Sequence, residues 1–407
     1  MRLQLACCVL LLFSCFTLTQ TFRFRGNQRS PVILVPGDGG SQVEARINKT
    51  TVVHYLCEKV SSGFFNIWLN LELLVPIIID CWIDNMRLIY DNQTRKTTNP
   101  DGVDIRIPGW GDPFTVEYLD PSKASPGTYF KYIGDMLVKD LGYVRNVSLR
   151  GAPYDFRKGP DENEEFFTKL KELVEETYVM NNNQPVTLIA HSMGGPMCLI
   201  FFQRQSQKWK DKYINSMITL AGVWGGSVKA LKVFAIGDDL GAYLLRESIL
   251  KSQQITSPSL GWLLPSKLFW KEDEVLVETQ VRNYTFADMK QYLIDINVPN
   301  GWEFRVDNEK YQLDFTSPGV EHHCLHGILV DTVEKLLYKR GVSIDGNPQL
   351  ILGDGDGTVN IRSLAGCTHW NDKQKQKIYH QTFSKVDHMQ ILSDNNVLNY
   401  IKNVLKF

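Results

Sequence analysis

The residues best placed for covalent chemistry surround Ser192. The short apolar run Val186-Thr-Leu-Ile-Ala190 passes directly into His191-Ser192-Met193-Gly194-Gly195, then into a helical run from Pro196 to Gln205. A serine on so sharp a strand-turn-helix corner is presented on strained backbone, and the residues two before and two after it must be nearly free of side chain. Ala190 and Gly194 meet that need, with Ala standing where Gly is usual. The chemistry is nucleophilic acyl transfer.

Serine is a weak nucleophile without a base, and in folds built on this corner the partners follow in the order Ser, Asp, His. Leu350-Ile-Leu-Gly353 leads into Asp354-Gly-Asp356-Gly-Thr358, and Asp356, deeper in the turn, is preferred to Asp354. Alternating Asp and Gly also invite calcium, but an EF-hand counted from Asp354 would need Gly and Glu where Val359 and Ala365 stand. Of the three later histidines, His388 sits in a loop before a terminal helical run, Met389 to Leu405, and is taken as the base. His369 and His380 read as surface residues of a polar segment, and His191 as packing of the corner itself. His322, His323 and His326 lack the CxxC or HExxH spacing of a zinc site, so no metal and no cofactor is expected.

A tetrahedral intermediate needs two preorganised amides, each contributing on the order of 3 kcal/mol. One is the N–H of Met193. The other belongs to the loop after the first strand, Pro36-Gly-Asp38-Gly-Gly40, and Asp38 is the best candidate.

These residues need a scaffold of strands alternating with helices. Apolar runs at Val32 to Val35, Val186 to Ala190, Met217 to Leu220 and Gln349 to Leu352 read as buried parallel strands. An amphipathic helix is expected from about Glu162 to Met180, with Pro160 and Asp161 at its start. The alternation predicts an α/β class chain with a doubly wound sheet. Two aromatic- and proline-rich stretches, about 44–126 and about 224–320, break the rhythm and read as insertions over the active edge.

The chain is 407 residues long, 43% hydrophobic and 22% charged, with a formal net charge of −1. That balance gives no reason to expect nucleic acid. The sequence pI near 6.7 makes the chain cationic in an acidic compartment, favouring anionic lipid surfaces. Met1 and Arg2 precede an apolar run to Leu18, the plan of a signal peptide over residues 1–21, leaving residues 22–407 as the mature chain. Five cysteines remain after it, enough for two disulfides and one leftover thiol. Sequons at Asn48, Asn92, Asn146 and Asn283 fit a glycosylated luminal protein. The apolar stretch from Ile67 to Asp80, flanked by Cys57 and Cys81, is interrupted by Glu72, Pro76 and Asp80 and cannot span a bilayer. It suits docking on a lipid surface through Trp68, Leu69, Leu71, Leu73 and Leu74, and equally suits the core of a subdomain.

Several motifs together resemble one family: Thr51-Val-Val-His-Tyr-Leu-Cys57, Ile67-Trp-Leu-Asn-Leu-Glu72, Asp80-Cys-Trp-Ile-Asp-Asn85, Arg150-Gly-Ala-Pro-Tyr-Asp155, Ala190-His-Ser-Met-Gly194 and Gly353-Asp-Gly-Asp-Gly-Thr-Val359. They are similar to the lecithin:cholesterol acyltransferase family over essentially the whole mature chain. The resemblance implies an α/β-hydrolase fold in which 44–126 is a membrane-binding subdomain and 224–320 a cap or lid. It carries the triad onto Ser192, Asp356 and His388, the oxyanion amides onto Asp38 and Met193, and the disulfides onto Cys57 with Cys81 and Cys324 with Cys367, leaving Cys198 free. The chain departs from the family pattern at Gly39 and Ser41, where relatives carry a bulkier Leu and an Asn, and at Gly195. The implied activity is a calcium-independent phospholipase A and O-acyltransferase passing an acyl group from a glycerophospholipid to water, ceramide or another alcohol. It would act as a monomer in the lysosome lumen, with a secreted fraction. The rival readings are a secreted phosphatidylcholine-sterol acyltransferase and a lipid-binding member that has lost catalysis.

Overall fold

Six parallel strands form the centre of the molecule: β1 (Val32–Val35), β2 (Leu149–Gly151), β3 (Val186–His191), β4 (Ile214–Leu220), β5 (His322–Ile328) and β6 (Ile378–Ser384), in the order β6-β5-β4-β3-β1-β2. This computed structural model describes residues 29–123, 127–239 and 247–406; the expected signal peptide lies outside them. Both faces of the sheet are covered at its centre, which is why β1 and β3 read as largely apolar runs rather than alternating ones. In β1, Ile33 and Val35 join one core while Val32 and Leu34 join the other. The first core packs against Phe166, Phe167, Leu170, Leu173 and Val174 of the helix Glu164–Met180. The second packs against the helices Lys131–Leu141 and Asn395–Val404.

Two expectations need correction. The apolar run at Gln349 is a strand, Gln349–Gly353, but it is not part of the central sheet. It pairs antiparallel with Thr332–Leu337 in a separate four-stranded sheet that also holds Val275–Glu278 and Asn283–Thr285. The terminal helix begins at Asn395, not Met389, because Asp394 takes an extended conformation and its side chain accepts from the amides of Asn396 and Val397. The segment before it is a short 3-10 turn, Gln390–Leu392.

The first insertion holds a three-stranded antiparallel sheet (Val43–Ile47, Phe65–Trp68, Val103–Arg106) and the helix Ile78–Met86. Its Ala45, Ile47, Ile67, Trp82 and Met86 belong to the same apolar core as β1 and β3, so the two bodies share one interior. The second insertion has a core apart from the other two, in which Leu231, Phe234, Leu276 and Tyr292 are buried together with Leu336 of the adjoining strand. Among the described residues no helix is long and apolar enough to cross a membrane.

Cys57 is bonded to Cys81 and Cys324 to Cys367, while Cys198 is free and buried. Cys324 lies in β5, and the second bridge spans a sequence separation of 43. Its removal by Cys324→Ala with Cys367→Ala is expected to lower unfolding stability by about 4 kcal/mol from released chain entropy, against about 3.5 kcal/mol for the 57–81 bridge. Denaturant titration of both double variants measures this; a larger loss from the 57–81 pair would contradict the ranking.

Candidate active site

The carboxyl ends of β1, β3 and β6 bring the expected residues to one place, the crevice side on which open parallel sheets bind ligands. Ser192 follows β3 at once and takes φ 55°, the left-handed region that a serine occupies only under constraint. The constraint is visible in its neighbours. A Cβ on Gly194 would stand 2.5 Å from the Pro36 carbonyl oxygen and 2.6 Å from that of Val35. Ala190 is fully buried, in register between Val35 and Thr219.

His388 Nε2 lies 2.9 Å from Ser192 Oγ, and His388 Nδ1 lies 2.7 Å from Asp356 Oδ2. Asp356 Oδ1 accepts from the amides of Val359 and Thr358, and its backbone carbonyl accepts from the His388 amide. Burial pushes the Asp356 carboxyl up, but the His388 charge and hydrogen bond and the two amides outweigh it and hold the group below the usual range. A carboxylate so held can only accept, so Nδ1 carries the imidazole proton and Nε2 is free to take the one on Ser192. Asp354 faces away and binds the Leu329 amide. Asp356 arrives from outside the central sheet; a bridge to Val330, just beyond β5, draws its turn to the active edge.

The loop after β1, where the oxyanion amide of Asp38 is expected, is braced by three aromatic side chains. Gly37 donates its amide to Tyr129 Oη, Tyr154 Oη donates to the Pro36 carbonyl at 2.9 Å, and Trp68 Nε1 donates to the Gly39 carbonyl at 2.7 Å. Gly39 has φ 69° with the Trp68 ring against it, and Ser41 Oγ accepts the Tyr154 amide at 3.2 Å. The small residues that depart from the family pattern therefore sit in a loop fixed from outside. Gly195 approaches the Gly222 backbone, where a Cβ would come within 3.3 Å.

Asp38 is exposed to solvent, with protein crowding its carboxyl. That crowding, reinforced by the Asp238 carboxylate and opposed by the Gly39 amide, pushes it up to about 7.

Of the expected membrane-facing side chains, Leu71 is exposed, Leu69 and Leu73 are half-buried, and Trp68 and Leu74 are buried. The last two need correction. Trp68 packs beside Trp82 and Phe156 and spends its N–H on Gly39; Leu74 joins the shared core. Val75 and Ile77 are the neighbours that reach solvent, with Val53, Tyr55, Leu56 and Val60 across the disulfide. The four sequon asparagines are all exposed. The β5 histidines do not converge: His322 bonds Thr219 Oγ1, His323 bonds Tyr400 and Glu321, and His326 bonds His380. His369 is exposed and stacks on Phe269. The acidic group Asp238, Asp239 and Glu247 is partly neutralised by Lys229 and Lys232.

Residues 64–316 and 302–395 match the family described as lecithin:cholesterol acyltransferase. The chain is 45% identical over 93% of its length, and 92% of the relative's, to a protein named lysosomal phospholipase A and acyltransferase from Canis lupus familiaris. The chain belongs to the lecithin:cholesterol acyltransferase family. It is also 41% identical to a phosphatidylcholine-sterol acyltransferase from Gallus gallus, covering 91% of this chain and 89% of that one. The crystal structure of the Tle4–Tli4 complex contains a chain of similar fold, 13% identical with a TM-score of 0.50, covering 93% of this chain and 98% of that one. The fold is that of the α/β hydrolases, a mixed α/β architecture around a parallel sheet, as expected from the strand-turn-helix corner.

Sequence reading of this family member missed Tyr129, Tyr154 and the inward role of Trp68. Tyr154 lies within the quoted Arg150–Asp155 motif, a signal that local pattern could have used. Tyr129 has no such signal, because its partners are 92 and 62 residues away.

Proposed function

We propose that this chain is a serine phospholipase A and O-acyltransferase that takes a fatty acyl group from a glycerophospholipid and passes it to water or a lipophilic alcohol such as ceramide. The observation that carries the reading is the unbroken line from Asp356 through His388 to Ser192 Oγ on a strained corner. Ser192 Oγ attacks the ester carbonyl as His388 Nε2 takes its proton. The amides of Asp38 and Met193 receive the negative charge that grows on the carbonyl oxygen. His388 returns the proton to the departing lysophospholipid oxygen, leaving an acyl ester on Ser192. Water or alcohol, deprotonated by His388, then attacks that ester, and the proton passes back to Ser192 as the product leaves. No step calls for a metal ion.

Exposed Leu71, Val75 and Ile77, on a loop tied by the 57–81 disulfide, support residues 44–126 as the membrane-binding subdomain. Residues 224–320, with their own core, serve as the cap. The expected signal peptide, the sequons and the names of the relatives support a glycosylated protein of the lysosome lumen with a secreted fraction, which would act as a monomer.

The test is a product assay on phosphatidylcholine vesicles containing phosphatidylglycerol, with ceramide and cholesterol offered together across pH 4 to 8. Fatty acid and acylated ceramide formed best in acid are the expected products. Cholesteryl ester as the main product, formed best near neutrality, would instead favour the sterol acyltransferase reading.

Asp38 gives this profile a second, separable feature. Its carboxyl is neutral below about pH 7 and charged above it, beside an amide that must receive negative charge. Turnover of a soluble short-chain ester should therefore fall as pH rises through about 7, and Asp38→Asn should abolish that fall. At pH 8 the variant should exceed wild type by up to about tenfold if only the neutral form is productive. The sign in stability is fixed likewise. A carboxyl raised in the folded state costs stability as pH climbs from its unfolded value toward 7, so Asp38→Asn should stabilise at pH 7.5 and do little at pH 4. Identical pH–rate curves for both proteins would refute this.

A further inference from the structure

The histidine beside the nucleophile is buried and takes no part in the proton transfers above. His191 is 1% exposed, yet both ring nitrogens are engaged. Nε2 lies 2.8 Å from the backbone carbonyl oxygen of His388, and Nδ1 is hydrogen-bonded to Tyr129 Oη. Tyr129, 3% exposed, accepts the Gly37 amide at 3.0 Å.

The directions of these bonds follow from what each atom can do. A carbonyl oxygen only accepts, so His191 Nε2 carries a proton. The neutral ring then has a lone pair at Nδ1, which accepts the Tyr129 hydroxyl proton. The Tyr129 oxygen is left to accept from Gly37. One arrangement satisfies every atom: Gly37 N–H to Tyr129, Tyr129 O–H to His191, His191 N–H to the His388 carbonyl. Burial, with the nearby His388, pushes the His191 imidazole down to about 3, against the hydrogen bond to the His388 carbonyl and the Asp356 charge, so the arrangement survives an acidic compartment. Burial likewise holds the Tyr129 hydroxyl protonated, with Asp38 adding to the effect.

The ends of this chain are the two halves of the catalytic apparatus. Gly37 precedes Asp38, whose amide receives the oxyanion, and its Cα lies so close to Ser192 that a Cβ would be 2.6 Å from the serine Cβ. His388 is the base, whose other hydrogen bonds among the described residues go to Asp356 and Ser192. We propose that Tyr129 and His191 are positioning residues that tie the oxyanion loop at Gly37 to the backbone of His388, fixing the charge-accepting amides and the base in one register. Without the tie, the loop after β1 and the loop after β6 are joined near the reacting atoms only through Ser192. A displacement of either by about 1 Å costs on the order of 100-fold in rate. The inference rests on Ser192, His388 and Asp356 being the acyl-transfer site.

The test compares Tyr129→Phe, His191→Phe, their double variant and His191→Gln with wild type. Kinetics are measured on a soluble p-nitrophenyl butyrate, so that vesicle binding does not enter. Tyr129→Phe and His191→Phe are expected each to lower kcat by about 10- to 100-fold with KM changed by less than about twofold. The double variant is expected to be no worse than the weaker single, because it cuts one chain twice. His191→Gln, which keeps a donor toward the His388 carbonyl, should recover part of the loss. Wild-type kcat in Tyr129→Phe, a loss confined to KM, or a double variant that falls by the product of the two singles would overturn the proposal. Tyr129→Phe removes a single oxygen and decides the matter even if His191→Phe does not fold. Activity surviving in Ser192→Ala would instead overturn the site assignment beneath it, and is run as a separate arm.

Discussion

Ser192→Ala should lower phospholipid turnover by at least about 10⁴-fold while vesicle binding and the unfolding midpoint stay near wild type. The size follows from what is removed. In this mechanism the acyl group passes through a covalent ester, and only the Ser192 oxygen can form it. What remains is the oxyanion amides and substrate binding, which in serine hydrolases leave roughly 10³- to 10⁴-fold over water. Folding is spared because Ser192 Oγ makes one hydrogen bond, to His388, and the strained φ is borne by the backbone whichever small residue stands there. His388→Ala should cost about as much, and the two together no more than either, since nucleophile and base act as a unit. Asp356→Asn should fall by about 10⁴-fold as well, because an amide can donate to Nδ1 and so favour the wrong imidazole tautomer. Vesicle hydrolysis and labelling by a fluorophosphonate probe measure all four proteins. Residual turnover above about 1% in Ser192→Ala would sink the nucleophile assignment.

The nucleophile was legible because its signal is local. Strand, corner and helix are contiguous from Val186 to Gln205, and the small residues the corner needs are printed beside it. The glycine-rich turn after β1 is legible for the same reason. β5 was not, since its sequence His-His-Cys-Leu-His-Gly-Ile reads as polar. It is nonetheless buried, because each of its histidines meets a specific partner on another element: Thr219, Tyr400 and His380. Hydropathy along a chain cannot see such compensation; only pairing in space supplies it. The Gln349 run failed in the opposite way. It is apolar enough for the central sheet but pairs with Thr332–Leu337 in a small sheet shared with strands of the second insertion, and nothing in its own residues distinguishes the two. In the Ile67 to Asp80 stretch the composition is mixed on every face. Which side chains turn inward, Trp68, Leu74 and Ile79, and which outward, Leu71, Val75 and Ile77, was settled by helix phase and by the Gly39 carbonyl waiting for an indole.

Gly37→Ala should lower kcat by about 100- to 1000-fold while the protein stays folded. The backbone at Gly37 is not in the left-handed region, so alanine meets no conformational penalty there and the whole effect is one of space. The added Cβ would lie 2.6 Å from Ser192 Cβ, 2.9 Å from the His191 carbonyl oxygen and 3.2 Å from Ser192 Oγ. These neighbours belong to the strained corner and cannot rotate away as a surface side chain would. Relief requires that the loop after β1 withdraw, carrying the Asp38 amide off the oxyanion, or that Ser192 withdraw from His388. Either route costs transition-state stabilisation of the order seen when one oxyanion donor is lost. The overpacking penalty to stability is on the order of 1–3 kcal/mol, small enough to leave the variant folded. Gly194→Ala makes the contrast: its Cβ would meet the backbone carbonyls of Pro36 and Val35, so it should lose folding rather than turnover alone. Soluble-ester kinetics with circular dichroism on both variants separate the two outcomes. Near wild-type kcat in Gly37→Ala would mean that the loop carrying Asp38 can move without consequence, and would remove the ground for placing the oxyanion amide there.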